Sequence, residues 1–161
     1  MVGVLVVDGQ PPFRSAVRSI VDAAEGFELL GEAVSGEEAV ARARELGPDV
    51  VLMDVVMPGI GGIEATKRIR AGARETMVVL VSSYPAPDLP KSARDCGAAA
   101  FVPKEGFGRQ VLQDLWSEYC ATAAPLTGRP AQPRPGGERP AARSGRVSGR
   151  SSGCASPPIA R

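Results

Sequence analysis

At 161 residues the chain has room for one domain with a full core plus a tail. Its formal net charge of +1 hides an asymmetry: residues 1–124 carry 12 Lys and Arg against 17 Asp and Glu, whereas residues 125–161 carry seven Arg and one Glu. With no histidine and three scattered cysteines (Cys96, Cys120, Cys154), the composition argues against a metal cluster or a disulfide framework. The expected compartment is a reducing cytoplasm, and the apolar run at residues 4–7 is too short for a signal peptide or a membrane span.

In chain order, residues 4–7 form a short apolar strand that runs into Asp8 and the turn residue Gly9. Phe13, Ala16, Val17, Ile20, Val21 and Ala24 follow at helical spacing, with Pro11 and Pro12 suited to the helix start and Gly26 ending it. Residues 27–34 are the second strand. Ser35-Gly36-Glu37-Glu38 has capping-box spacing, with Ser35 as N-cap and Glu38 reaching back. The helix it opens carries Ala39, Val40, Ala43 and Leu46 on one face and stops at Gly47-Pro48.

The third strand, Val50-Val51-Leu52-Met53-Asp54, is apolar up to its carboxylate, as a strand sealed on both faces should be. Gly61-Gly62 opens a helix with Ile63, Thr66 and Ile69. Residues 77–81 form the fourth strand, ending in Ser82-Ser83. A cluster of Pro85, Pro87 and Pro90 precedes a short helix expected from Pro90 to Cys96. Residues 98–102 are the fifth strand, ending at Pro103-Lys104, and Val111, Leu112, Leu115, Trp116 and Tyr119 mark the last helix.

This alternation of strand and helix with short connections implies an α/β fold: a flavodoxin-like (βα)5 doubly wound parallel sheet of order 2-1-3-4-5. The domain is expected over residues 1–120. Residues 121–161 read as a disordered Pro/Gly/Arg/Ser-rich tail, too poor in large apolar side chains to offset its ordering entropy.

Asp8, Asp54, Ser82 and Lys104 stand at the C-terminal ends of strands 1, 3, 4 and 5, the sheet edge where doubly wound folds gather their chemistry. The four types suit phosphoryl transfer. A carboxylate can act as nucleophile and form an acyl phosphate, an ammonium and a divalent cation can neutralise the incoming charge, and a hydroxyl can bond one phosphoryl oxygen. Each has an ordinary structural alternative when taken alone: a strand-end Asp, a turn Ser, a Lys whose stem lies on the surface.

The runs Val4-Leu5-Val6-Val7-Asp8, Val51-Leu52-Met53-Asp54-Val55-Val56-Met57-Pro58-Gly59, Val79-Leu80-Val81-Ser82-Ser83 and Ala100-Phe101-Val102-Pro103-Lys104 resemble the receiver domain of bacterial two-component response regulators. Gln10-Pro11-Pro12-Phe13-Arg14 and the proline before Lys104 are similar to the NarL/LuxR-type subfamily, which carries a DNA-binding domain. The resemblance implies Asp54 as phosphoacceptor, Ser82 as switch hydroxyl, Lys104 as phosphate-pairing lysine and Phe101 as the aromatic that turns inward with Ser82. It implies Mg2+ held by Asp8, Asp54 and the Val56 carbonyl. It also implies a sensor histidine kinase as partner, a homodimer through helix 4, strand 5 and helix 5, and contact with DNA only where an effector domain is supplied elsewhere.

The chain departs from the family in places. Gly9 replaces the second acid of the pair, which implies weak magnesium binding. Gly61 stands where an Asp is usual, and no proline follows Lys104. A pseudo-receiver that binds partners without phosphorylation is the alternative that Gly9 raises. A phosphatase of the haloacid-dehalogenase type is disfavoured because Val56 stands where its second Asp belongs. Leu126-Thr127-Gly128-Arg129 resembles the start of a LuxR-type helix-turn-helix, and the sequence after it reads as such a domain would in a shifted frame.

Overall fold

The computed structural model describes residues 1–85 and 88–122. The expected tail begins inside the last helix, which runs to Thr122; its remainder and the Leu126–Arg129 resemblance lie outside the described residues. Five parallel strands form one sheet in the order β2-β1-β3-β4-β5. They are β1 (Val2–Val7), β2 (Phe27–Ala33), β3 (Val50–Asp54), β4 (Met77–Ser82) and β5 (Ala100–Pro103). The helices are α1 (Pro11–Ala23), α2 (Gly36–Leu46), α3 (Gly61–Gly72), α4 (Lys91–Arg94) and α5 (Arg109–Thr122), with a 3-10 turn at Lys104–Gly106.

Side chains alternate across the sheet, so consecutive strand residues feed different layers. Val4, Val6, Val50, Leu52, Val79, Val81 and Val102 pack with Val17 and Val21 of α1 and Leu112 of α5. Leu5, Val7, Val51, Met53, Val78 and Leu80 pack with Val40 of α2, Ile69 of α3 and Ala93 of α4. This two-sided burial is why β1, β3 and β4 read as unbroken apolar runs. Asp8 and Asp54 end on adjacent strands because β1 pairs directly with β3 (Val7 opposite Met53).

Local signals hold with small shifts. Ser35 caps α2, its Oγ accepting from Glu38 N at 3.2 Å, while the Glu38 carboxylate accepts from Val34 N, one residue before the cap. The helix expected from Pro90 to Cys96 is only the single turn Lys91–Arg94, because Gly97 turns the chain with φ +91° soon after. Strand β5 runs from Ala100 to Pro103 rather than over 98–102. Pro103 is tolerated because β5 is an edge strand, with no further neighbour needing its missing N–H.

Two glycines set the β3–α3 connection that carries Asp54. Gly61 adopts φ +72°, which a side chain resists. A Cβ on Gly62 would collide with the Asp54 carbonyl, so only glycine lets α3 start this close to the strand end. Gly62→Ala is expected to cost about 2 kcal/mol or more of folding stability, read by urea denaturation. A variant as stable as the parent would show that this approach is not tight.

Candidate functional site

The edge formed by the C-terminal ends of β1, β3 and β4 holds three buried polar side chains: Asp8 at 0% exposure, Asp54 at 5% and Ser82 at 1%. Lys104, first residue of the 3-10 turn after β5, reaches back over them with its side chain 9% exposed. Its Nζ lies 2.5 Å from Asp8 Oδ2 and 3.0 Å from Asp54 Oδ2. Asp8 and Asp54, 96 and 50 positions before Lys104 along the chain, thus share one ammonium only because the sheet order places β1, β3 and β4 side by side.

Each carboxylate is also held by backbone. Asp8 Oδ1 accepts from Gln10 N at 2.7 Å, and Asp54 Oδ1 accepts from Val56 N at 3.2 Å. Ser82 Oγ accepts from Tyr84 N at 3.0 Å, which holds the hydroxyl toward the β4–α4 loop. Phe101 lies elsewhere. It packs in the layer of α2, α3 and α4 and lines a cavity of about 200 Å³ with Leu80, Leu89, Ala93 and Arg94. The structure therefore joins Asp8, Asp54 and Lys104, sets Ser82 on the next strand, and leaves Phe101 beneath α4.

Burial pushes the Asp54 carboxyl above its ordinary value, and the Asp8 charge adds to the rise; the Lys104 hydrogen bond opposes it without cancelling it. Burial likewise disfavours the Lys104 ammonium, but the carboxylates outweigh that and hold its pKa above the usual lysine range. The ammonium is therefore charged at neutral pH, the condition for attracting a phosphoryl dianion.

Asp8 Oδ2 faces the Lys104 ammonium at 2.5 Å and no other donor among the described residues. A fully buried carboxylate oxygen in that condition, next to a second carboxylate, suits a divalent cation with oxygen preference. The donor set fits magnesium with one carboxylate fewer than a paired-acid site. At Gly9 a Cβ would meet only the Val34 carbonyl, at 3.9 Å, so the missing side chain is a matter of sequence and not of space.

Some features of the site were not legible in the sequence. Phe13, read there only as a core position, also sets its ring under the Lys104 ammonium, 4.8 Å from Nζ to centroid. Arg14 donates from a guanidinium N–H to the Asp8 carbonyl at 2.8 Å and from Nε to Glu32 at 3.2 Å, where Arg18 also pairs. Glu37 accepts from Ile60 N at 3.0 Å and ties α2 to the loop after Asp54. Only a helix start at Pro11 hinted that Phe13 and Arg14 belong to the turn facing Asp8.

Residues 4–115 match the response regulator receiver domain family. The response regulator UvrY of Escherichia coli strain K12 is 35% identical over 119 residues, covering 74% of this chain and 55% of that protein. The response regulator GacA of Pseudomonas viridiflava is 41% identical over 115 residues, 71% of this chain and 54% of that one. The chain thus spans about half the length of these relatives. A crystal structure of a LuxR-family two-component response regulator from Aurantimonas sp. SI85-9A1 superposes with a TM-score of 0.67 at 28% identity, covering 74% of this chain and 85% of that one.

The raised Asp54 value has a sign. A carboxyl whose folded value exceeds its ordinary 3.8 favours the folded state fully below that value, and the benefit is lost as pH rises through the folded value. Asp54→Asn, which leaves Lys104 paired with Asp8, is therefore expected to melt a few degrees above the parent at neutral pH. The two melting curves should converge in acid. A variant less stable than the parent at pH 7 would contradict the assignment.

Proposed function

Since the chain belongs to the response regulator receiver domain family, we propose that it accepts one phosphoryl group at Asp54 from a sensor histidine kinase and transmits the event as a change in its interaction surface. The observation that supports this most is the shared ammonium: Lys104 Nζ within 3.0 Å of Asp54 and 2.5 Å of Asp8, with both carboxylates buried.

A carboxylate oxygen of Asp54 attacks the phosphorus in line. The new O–P bond forms as the P–N bond of a phosphohistidine, or the P–O bond of acetyl phosphate, breaks. The leaving group keeps the electron pair and takes its proton from solvent. Lys104 follows the charge from carboxylate to phosphoryl oxygen, which is electrostatic stabilisation by a preplaced cation. Ser82, which accepts from Tyr84 N, donates its hydroxyl proton to a second phosphoryl oxygen, and its rotation toward that oxygen pulls on the β4–α4 loop. Phe101, beside a cavity under α4, has room to repack as that loop shifts.

Magnesium, held by Asp8, Asp54 and the Val56 carbonyl, would supply further neutralisation of the phosphoryl charge. With Gly9 in place of an acid, the affinity for it is weak. The α4–β5–α5 face carries the output, as a homodimer contact or toward an effector. Control of transcription requires a DNA reader beyond the described residues.

Incubation with acetyl phosphate and magnesium is expected to add one phosphoryl group by intact mass, absent in Asp54→Ala. No adduct on the parent at saturating donor would refute the proposal and favour a phosphorylation-independent binding module. Gly9→Asp, which the open space allows, is expected to lower the magnesium concentration for half-maximal phosphorylation roughly tenfold. An unchanged titration would show that position 9 does not face the cation.

A further inference from the structure

Beyond the groups that touch the phosphoryl group, we propose that Phe13 is a positioning residue whose ring face holds the Lys104 ammonium over Asp8 and Asp54; the inference rests on the acceptor reading above. An ammonium has three donors and no acceptor. Two of its directions are taken by carboxylate oxygens at 2.5 and 3.0 Å. The Phe13 ring, 4.8 Å from Nζ to its centroid, lies within the range at which a ring's negative face attracts a cation.

The need for such a contact follows from where Lys104 stands. It leaves the end of an edge strand on a short 3-10 turn, and its four-carbon stem is long enough to carry the ammonium into solvent as well as over the acids. A shallow hold would leave the competent position only partly populated, and the rate of phosphoryl uptake scales with that fraction. The ring closes the pocket on the side where the carboxylates do not.

Phe13 is itself fixed relative to Asp8. Gln10 N donates to Asp8 Oδ1 at 2.7 Å, Arg14 N donates to the Gln10 carbonyl at 3.3 Å, and the Arg14 guanidinium donates to the Asp8 carbonyl at 2.8 Å. The first turn of α1 and the carboxylate therefore move as one unit, and Phe13 also packs against the α1–α5 side of the core. At a site one acid short of the usual pair, placement of the lysine carries more of the charge neutralisation, so the ring matters more.

The test replaces Phe13 with mono-, di- and trifluorinated phenylalanine, which drain the ring face of negative charge while keeping its shape. Two readouts are taken on the full chain: the initial rate of phosphorylation by acetyl phosphate, and the NMR shift of the Lys104 ε-methylene protons in unphosphorylated protein. The rate is expected to fall stepwise, to about one-fifth at three fluorines, with unfolding temperature unchanged. The ε-protons of the parent should lie upfield of those in Phe13→Leu.

A flat rate across the fluorinated series, or ε-protons that do not move in Phe13→Leu, would overturn the proposal. If the parent takes up no phosphoryl group, the acceptor reading fails and takes the positioning role with it. An upfield ε-proton shift in the same sample would then show that the contact itself is not what failed.

Discussion

One ammonium shared between two buried carboxylates is the interaction on which the rest of this site depends. Asp8 and Asp54 carry like charges on adjacent strands, and both are buried. Left alone, the pair would repel and push one proton back on. Lys104 makes the doubly ionised arrangement tolerable, at 2.5 and 3.0 Å. Removing the ammonium, in contrast to neutralising one acid, would typically cost about 3–5 kcal/mol because it strands two buried carboxylates. Burial nevertheless still raises the Asp54 carboxyl above its ordinary range, while the two acids hold the Lys104 ammonium above its own. The domain holds the Asp54 carboxylate in a less comfortable state than water would.

The sheet makes this arrangement affordable. Each inner strand is buried on both faces, with odd and even residues dividing between the α1–α5 layer and the α2–α3–α4 layer. That core holds the strand ends rigid, so carboxylates can be placed to within hydrogen-bonding tolerance without forming part of the packing. Backbone amides then finish the alignment: Gln10 N on Asp8 and Val56 N on Asp54. At the next strand, Ser82 Oγ accepts from Tyr84 N and so ties the end of β4 to the loop that follows it.

Small residues shape the site as much as charged ones do. Gly62 lets α3 begin against the Asp54 carbonyl, and Gly61 supplies the left-handed turn before it. Gly9 acts by omission, leaving open space where a side chain would fit. The bracing of Asp8 by Arg14, itself anchored on Glu32, keeps this glycine-containing loop in place without the missing side chain. The lysine is correspondingly surrounded on three sides, by two acids and the Phe13 ring.

The chain by itself determined the order of elements, the parallel sheet and the identity of Asp8, Asp54, Ser82 and Lys104 as strand-end groups, because apolar runs and their punctuation are local properties that survive without a partner. It also marked Gly9 as a departure. Only the tertiary structure decided what those groups touch. The bridging of two acids by Lys104, the ring beneath it and the Arg14 brace join residues from different strands and helices, and Phe101 proved to sit under α4, away from the carboxylates. The lengths of α4 and β5 were likewise set by the turn at Gly97 and by pairing with β4, not by propensity. Periodicity records which face of an element is buried; it holds no information on the distance between side chains brought together across a sheet edge.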